Sequence, residues 1–456
     1  MSDEFAAMGA ALSPLDGRYR ALMGPLRDHF SEFALMKARI AVEVHHALAL
    51  DAVFGPLTDA QRQSALTVVE SFSDDDYANI KQLELSLRHD VKACEVFLRD
   101  KCGFDNPNRI HFGLTSEDVN NLAWSLCCRD YIDNHQVPLW RALVGDLCTL
   151  AERWADIPLP ARTHGQQATP TTFGKEVAVY VGRLLPHLRD LSGHRFSGKC
   201  NGATGNYAAM VAAAPQIDWR EHERRLVESL GFVRNSATTQ VEPGDSLARW
   251  LDLTRAASNV LIDLCRDVWL YVSHGYLKQR TVAGEVGSST MPHKVNPIRF
   301  ENAEGNLELS RALCTFLADK LTQSRMQRDL SGSTVMRNLG VALGHHHLAL
   351  HEIRKGLDTI DPDEAMCRAE LRAHPELLSE AAQTVLRTVK PDDVYTQLKT
   401  LTRGRVFSMD DWRALMAELP QAVQARLRPL TAETYVGESA RICREVVAMA
   451  RSELAA

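Results

Sequence analysis

Apolar residues recur every three or four positions along most of the chain. Leu139, Leu143, Val144, Leu147, Leu150, Ala151 and Trp154 fall on one face when wound at the helical period. Leu253, Ala257, Val260, Leu261, Leu264, Val268 and Tyr271 do the same, and neither run is broken by proline. A third run, Phe300 to Leu321, follows Pro297, a residue suited to a first helical turn. No series of short alternating runs and no strand–helix–strand rhythm interrupts them. The pattern predicts an all-α protein in which several long helices bundle.

Turn chemistry falls at few places. Pro158 and Pro160 precede Arg162-Thr163-His164-Gly165-Gln166, and Gly198, Gly202 and Gly205 mark a tight connection. Glu242-Pro243-Gly244-Asp245 reads as a turn ahead of a helix, and Asp361-Pro362-Asp363 as a break before a C-terminal helical region. No repeat or low-complexity linker is present, so the parts are expected to pack, not to be tethered.

Composition narrows the function classes. The 456 residues are 24% charged and carry a net charge of −6, which gives no global reason to expect nucleic acid or a membrane as partner. An anionic small molecule would need a local cluster of Arg and Lys. No stretch is apolar enough for a membrane span, and the first 17 residues lack the basic start of a signal peptide. Ten scattered cysteines with no C-x-x-C pair read as reduced thiols, which places the chain in the cytoplasm.

The segment Gly287 to Pro297 carries the candidate chemistry. Glycine and consecutive hydroxyls favour an exposed, adaptable backbone between two long helical runs. Lys294 and Asn296 could stabilise an anion that develops during a reaction, helped by free N–H groups at the helix start near Pro297. On these residues alone, the same segment also reads as an ordinary helix–helix connection. His345, His346, His347 and His351 raise a zinc reading, but only Glu352 stands nearby as a further ligand and no HExxH motif occurs. They read better as packed or solvated helix residues.

The string GSSTMPHKVNP resembles the defining loop of the fumarase/aspartase superfamily. Other segments resemble the adenylosuccinate lyases within it: SPLDGRY at Ser13 to Tyr19, HDVKA at His89 to Ala93, HFGLTSEDV at His111 to Val119, RTHGQ at Arg162 to Gln166, TTQVEP at Thr238 to Pro243, and QRDLSGSTVMRN at Gln327 to Asn338. The resemblance implies β-elimination of fumarate, with Ser288 as base and His164 as general acid. It implies substrate contacts from Arg18, Tyr19, Arg88, His89, Asp90, His111, Thr115, Ser116, Gln240, Ser289, Lys294, Val295, Asn296, Asn302, Arg328, Ser333, Thr334 and Arg337. Arg88 stands where relatives often carry Asn, and Gln167 and Gly244 where they often carry Pro and His.

The resemblance also implies no organic cofactor and no metal, small-molecule purine-pathway substrates, and a homotetramer with shared active sites. Three helical domains are expected: residues 1–112, a central long-helix bundle over 113–364 that carries the loop, and 365–456. The loop alone leaves open a sister lyase acting on argininosuccinate, aspartate or malate, or a silent structural relative. Arg18, Arg328 and Arg337 argue for a phosphorylated substrate, and the presence of both Ser288 and His164 argues against silence.

Overall fold

The computed structural model describes residues 8–280, 291, 294–389 and 408–455. Ser288 and Ser289 lie outside the described residues. The fold is all-α. The three apolar runs form the helices Val137–Arg153, Asp245–Ser273 and Ile298–Leu321. The second has 29 residues, a length of about 44 Å. Leu143, Val144, Leu147, Ala151, Ala257, Leu261 and Leu264 are buried, so the period seen in the sequence is the period of burial. Pro297 precedes the first turn instead of sitting inside it. Its carbonyl accepts from the Phe300 and Glu301 N–H groups at 3.0 and 3.2 Å.

Shorter helices start where a side chain can close the first turn. Thr58 with Gln61, Ser73 with Asp76, and Ser408 with Asp411 form reciprocal capping boxes. Between Ser116–Tyr131 and Val137–Arg153 the backbone widens into a π turn over Ile132–Gln136. Gln136 is buried there with its amide satisfied at both ends. Trp250 Nε1 donates to its Oε1 at 2.8 Å, and its Nε2 donates to Thr254 at 3.0 Å. Hydrophobic periodicity carries no signal for such a turn.

Packing divides the chain into two compact units. The first comprises the described residues up to Leu139, with His187–Asn259 and Asn306–Ala349. One of its cores gathers Met36, Ile40, Val44, Ile80, Phe97, Leu98 and Ile110. A smaller one joins Leu50, Met210 and Trp219. The second unit comprises Trp140–Pro186, Val260–Gly305 and the described residues from Leu350 onward. Its C-terminal core packs Leu378, Leu386, Trp412, Val423 and Leu427 together.

Strands among the described residues are short and pair only in twos. Pro158–Leu159 lies antiparallel to Thr171–Thr172, and Leu277–Gln279 to Ile360–Pro362. Ser197–Gly198 runs parallel to Val233–Arg234. The hairpin Arg162–Thr163 with Gln166–Gln167 displays the segment around His164. No helix among the described residues is long and apolar enough to cross a membrane.

Gly174 shows how close the packing is in the second unit. A Cβ there would stand 2.3 Å from the Ala151 carbonyl oxygen and 2.5 Å from the Ala155 Cα. Gly174→Ala is therefore expected to cost about 1–3 kcal/mol of stability through overpacking. Urea denaturation at constant pH measures this, and an unchanged midpoint would show that the two backbones separate freely.

Candidate active site

The first unit contains a cavity of about 460 Å³, a size suited to a small molecule. Its first wall is the helix Ser116–Tyr131. Thr115 caps that helix, and its N–H donates to Asp118 Oδ2 at 2.8 Å. Ser116, Asn120, Trp124 and Cys128 recur every fourth residue and all face the cavity.

The second wall is the junction of two helices. Arg88 ends Asp74–Leu87 in the left-handed region, with φ of 52°, and His89 caps Asp90–Lys101. His89 Nδ1 accepts from the Lys92 N–H at 3.2 Å, which leaves the ring proton on Nε2 in this geometry. Asp90 receives two guanidinium groups, Arg39 at 2.9 Å and Arg337 at 3.3 Å. Burial pushes its carboxyl up, but Arg39, the Val91 N–H and Arg337 outweigh that and hold it below the usual carboxylate range. Arg39 is 4% exposed and also donates from Nε to Asn120 at 2.9 Å, which ties the two walls together.

The third wall is the segment from Leu321 to Arg337. Arg328 donates to Gln240 Oε1 at 2.9 Å and pairs with Glu117 at 2.9 Å. Gln240 in turn donates to the Ala203 carbonyl at 2.8 Å. Ser333 lines the cavity, and Thr334 Oγ1 turns back to the Leu330 carbonyl at 3.3 Å. The lining thus gathers Arg39, Arg88, Arg328 and Arg337 with Ser116 and His89. Such an array can grip a phosphate or carboxylate by bidentate contacts and a helix N-terminus.

His111, Thr115 and Gln240 stand beside these walls and not in the lining. The His111 backbone is left-handed, with φ of 60°. Its Nδ1 lies 2.5 Å from Glu43 Oε1, and its N–H donates to Glu43 Oε2 at 3.0 Å. Arg18 lies over the Tyr19 ring at 5.9 Å in the N-terminal turn.

The second unit carries the other expected residues. His164 and Gly165 form a two-residue hairpin turn, with φ of 51° and 74°. Positive φ at both central positions is what a tight hairpin needs, and His tolerates it better than most residues. The imidazole is exposed at the tip. The base of the hairpin is clamped: Arg162 and Gln167 both donate to Glu370, at 2.8 and 2.7 Å, and Arg162 also donates to the Tyr276 hydroxyl at 3.0 Å. Lys294 and Val295 are exposed, while Asn296 and Asn302 are half-buried.

A family model described as lyase matches residues 17–311, and one described as adenylosuccinate lyase C-terminal matches residues 324–436. Adenylosuccinate lyase of Legionella pneumophila (strain Corby) is 44% identical over 94% of this chain and 96% of its own length. That of Escherichia coli (strain K12) is 43% identical over 94% of this chain and 97% of its own. The chain belongs to the adenylosuccinate lyase family. The fold is shared more widely. A 3-carboxy-cis,cis-muconate lactonizing enzyme from Pseudomonas putida has a TM-score of 0.76 at 21% identity, covering 94% of this chain and 97% of that one.

For a member of the adenylosuccinate lyase family, several residues of this cavity escaped the motifs. Arg39, Asn120 and Trp124 line it, and Glu43 and Lys199 stand behind it. The signal in the sequence was a charged pair, Arg39 and Glu43, set four apart with only apolar residues between them. The histidine cluster is packing. His345 pairs with Asn306 at 2.8 Å, His346 with Ser258 at 3.0 Å, and His347 with Tyr131 at 3.4 Å. Burial lowers the His346 pKa to about 3. Among the described residues no group of three or more ligating side chains is placed to hold a metal ion.

His111 gives a pH test. Burial disfavours its charged form, but the Glu43 hydrogen bond and charge prevail, so its pKa is raised above 6.5. A raised folded-state pKa adds stability that is complete below the unfolded value and lost as pH climbs through the folded one. Glu43→Gln should therefore destabilise more at pH 6 than at pH 8.5, by denaturant unfolding, and should lower the His111 midpoint seen by NMR. Equal losses at both pH values would contradict the pairing.

Proposed function

We propose that the chain is a carbon–nitrogen lyase that releases fumarate from adenylosuccinate, leaving AMP, and from the succinylated aminoimidazole carboxamide ribotide (SAICAR), leaving the free carboxamide (AICAR). The observation that carries the reading is the cavity, where four arginines converge with the N-terminus of a long helix. A purine-pathway substrate brings both a phosphate and a dicarboxylate to such a site. Arg328 and Arg337 are assigned to the phosphate, with Arg18 and Tyr19 near it. The Arg88 guanidinium lines the cavity and makes no hydrogen bond or ion pair among the described residues, and it is assigned to the same phosphate. Ser116 and Thr115 are assigned to a succinyl carboxylate, with His89, Asp90, His111, Gln240, Ser333, Thr334 and Asn302 around the substrate.

The chemistry is anti β-elimination. Ser288, acting as the alkoxide with Lys294 near it in sequence to favour loss of its own proton, takes the proton from the carbon beside a carboxylate and becomes a neutral hydroxyl, and the carbanion charge spreads into that carboxylate. Lys294, Asn296, Ser289 and the backbone of Val295 stabilise the extra charge. Donors aimed at such charge are worth roughly 3–4 kcal/mol each. His164 protonates the departing nitrogen as the C–N bond breaks, and fumarate leaves. The exposed hairpin tip suits this role, because an imidazole there can reach a substrate held by another copy of the chain. We therefore assign a homotetramer with active sites shared between copies, and no organic cofactor.

The ten cysteines are all free and buried, and burial raises Cys94 to about 12. Thiols kept reduced support a cytoplasmic setting. The confinement of one hydrophobic core to residues 36–110 and another to 378–427 supports the three-part division at 112/113 and 364/365.

Ser288→Ala and His164→Ala should each lower turnover by about 10²–10⁴ with the fold intact. Mixing the two variants under subunit exchange should restore part of the activity. Fumarate absorbance with adenylosuccinate, SAICAR and, as control, argininosuccinate measures both effects. Release from argininosuccinate alone would overturn the assignment, and absence of any rescue would overturn shared sites.

A further inference from the structure

Behind the cavity lies an ion pair wholly removed from water. Lys199 Nζ meets Asp118 Oδ1 at 2.8 Å, and both side chains are 0% exposed. The ammonium has two further acceptors, the carbonyls of Gly202 at 3.1 Å and Gln240 at 2.7 Å. Its three N–H bonds are therefore all used.

The partners lead to two different walls. Asp118 closes the first turn of the Ser116–Tyr131 helix by accepting from Thr115, and it also accepts from the Asn201 N–H at 2.9 Å. Asn121 of the same helix accepts from the Lys199 N–H at 3.0 Å and donates to the Lys199 carbonyl at 3.0 Å. Gln240 holds Arg328 through its side chain, and its own N–H donates to the Gln327 carbonyl at 3.2 Å. Gly205 lets the segment that carries Lys199 lie directly against the backbone ahead of Gln240. A Cβ there would lie 2.2 Å from the Thr238 carbonyl oxygen.

We infer that Lys199 is a positioning residue for the substrate site: one buried ammonium, acting alongside the Arg328–Glu117 ion pair, sets the distance between the helix N-terminus at Ser116 and the guanidinium of Arg328. It touches no substrate. It acts through Asp118 on one side and Gln240 on the other. A hydrocarbon side chain at 199 would leave Asp118 without its cation and free the Gln240 carbonyl, so the two walls would be held together only by the more exposed Arg328–Glu117 pair. The inference rests on the proposed substrate, in which a carboxylate and a phosphate at opposite ends must be held at once.

The test uses the full-length protein and adenylosuccinate. Lys199→Met should raise KM about tenfold or more, because a misplacement of the order of an ångström weakens binding at both ends. The fall in kcat should be smaller than the rise in KM. In an Arg328→Ala background the same substitution should raise KM less than twofold, since the wall it positions has lost its contact. Thermal unfolding of the same four proteins should instead show additive shifts, which separates positioning from plain destabilisation. If Lys199→Met does not fold, Asp118→Asn decides, with its cap oxygen kept and an expected KM rise of about threefold or more. An unchanged KM in the folded variant, or the full rise persisting without Arg328, overturns the inference. Failure of the unmodified protein to release fumarate overturns the proposed function instead.

Discussion

A charge taken out of water persists in a folded protein only if other charges and hydrogen bonds replace the water. The first unit is organised around that constraint. Arg39, Glu43, Asp118, Lys199 and Glu223 are all buried, and each has partners at hydrogen-bond distance. Their partners fix where the cavity walls stand. Arg39 joins Asp90 to Asn120, Glu43 holds both the ring and the backbone of His111, and Lys199 joins the Thr115 turn to Gln240. Apolar packing alone would leave helices free to slide by fractions of a turn. A matched buried ion removes that freedom, because any shift would leave a charge bare.

The same logic explains the division of labour between side chains. Groups in the lining are partly committed: Arg328 to Glu117 and Gln240, Arg337 to Asp90. They are held in place by carboxylates before any ligand arrives, so little ordering cost remains for binding. His164 follows the opposite plan. It sits exposed on a two-residue turn whose base is clamped to Glu370, a rigid mount with a free tip. The role proposed for it, proton donor to a site built elsewhere, needs that combination.

Much of this was legible in the sequence, for identifiable reasons. Helices with a periodic apolar face, such as Val137–Arg153, declare themselves because burial and period coincide. The motif segments led to Arg88, His89, Asp90, Ser116, Arg328, Ser333 and Arg337, which the fold gathers around one cavity. The π turn at Ile132–Gln136 was hidden, since the groups that satisfy its buried Gln136, Trp250 and Thr254, lie more than a hundred residues away. Lys199 was hidden likewise: nothing near it in the chain announces Asp118 as its partner. Whether a motif residue lines the cavity or stands behind it, as His111 and Gln240 do, also depends on contacts that no local pattern encodes.

In the proposed function the first unit binds a purine-pathway substrate whose C–H and C–N bonds are then flanked by Ser288 and His164 of other copies of the chain. A structure of the assembled Ser288→Ala protein with adenylosuccinate bound tests it most directly. The expected result is the phosphate on Arg328 and Arg337, the succinyl group at the Ser116 helix start, and residue 288 and His164 on opposite sides of that group, each from a neighbouring copy. A ligand bound away from this cavity, or His164 out of hydrogen-bond reach of the leaving nitrogen, would contradict it.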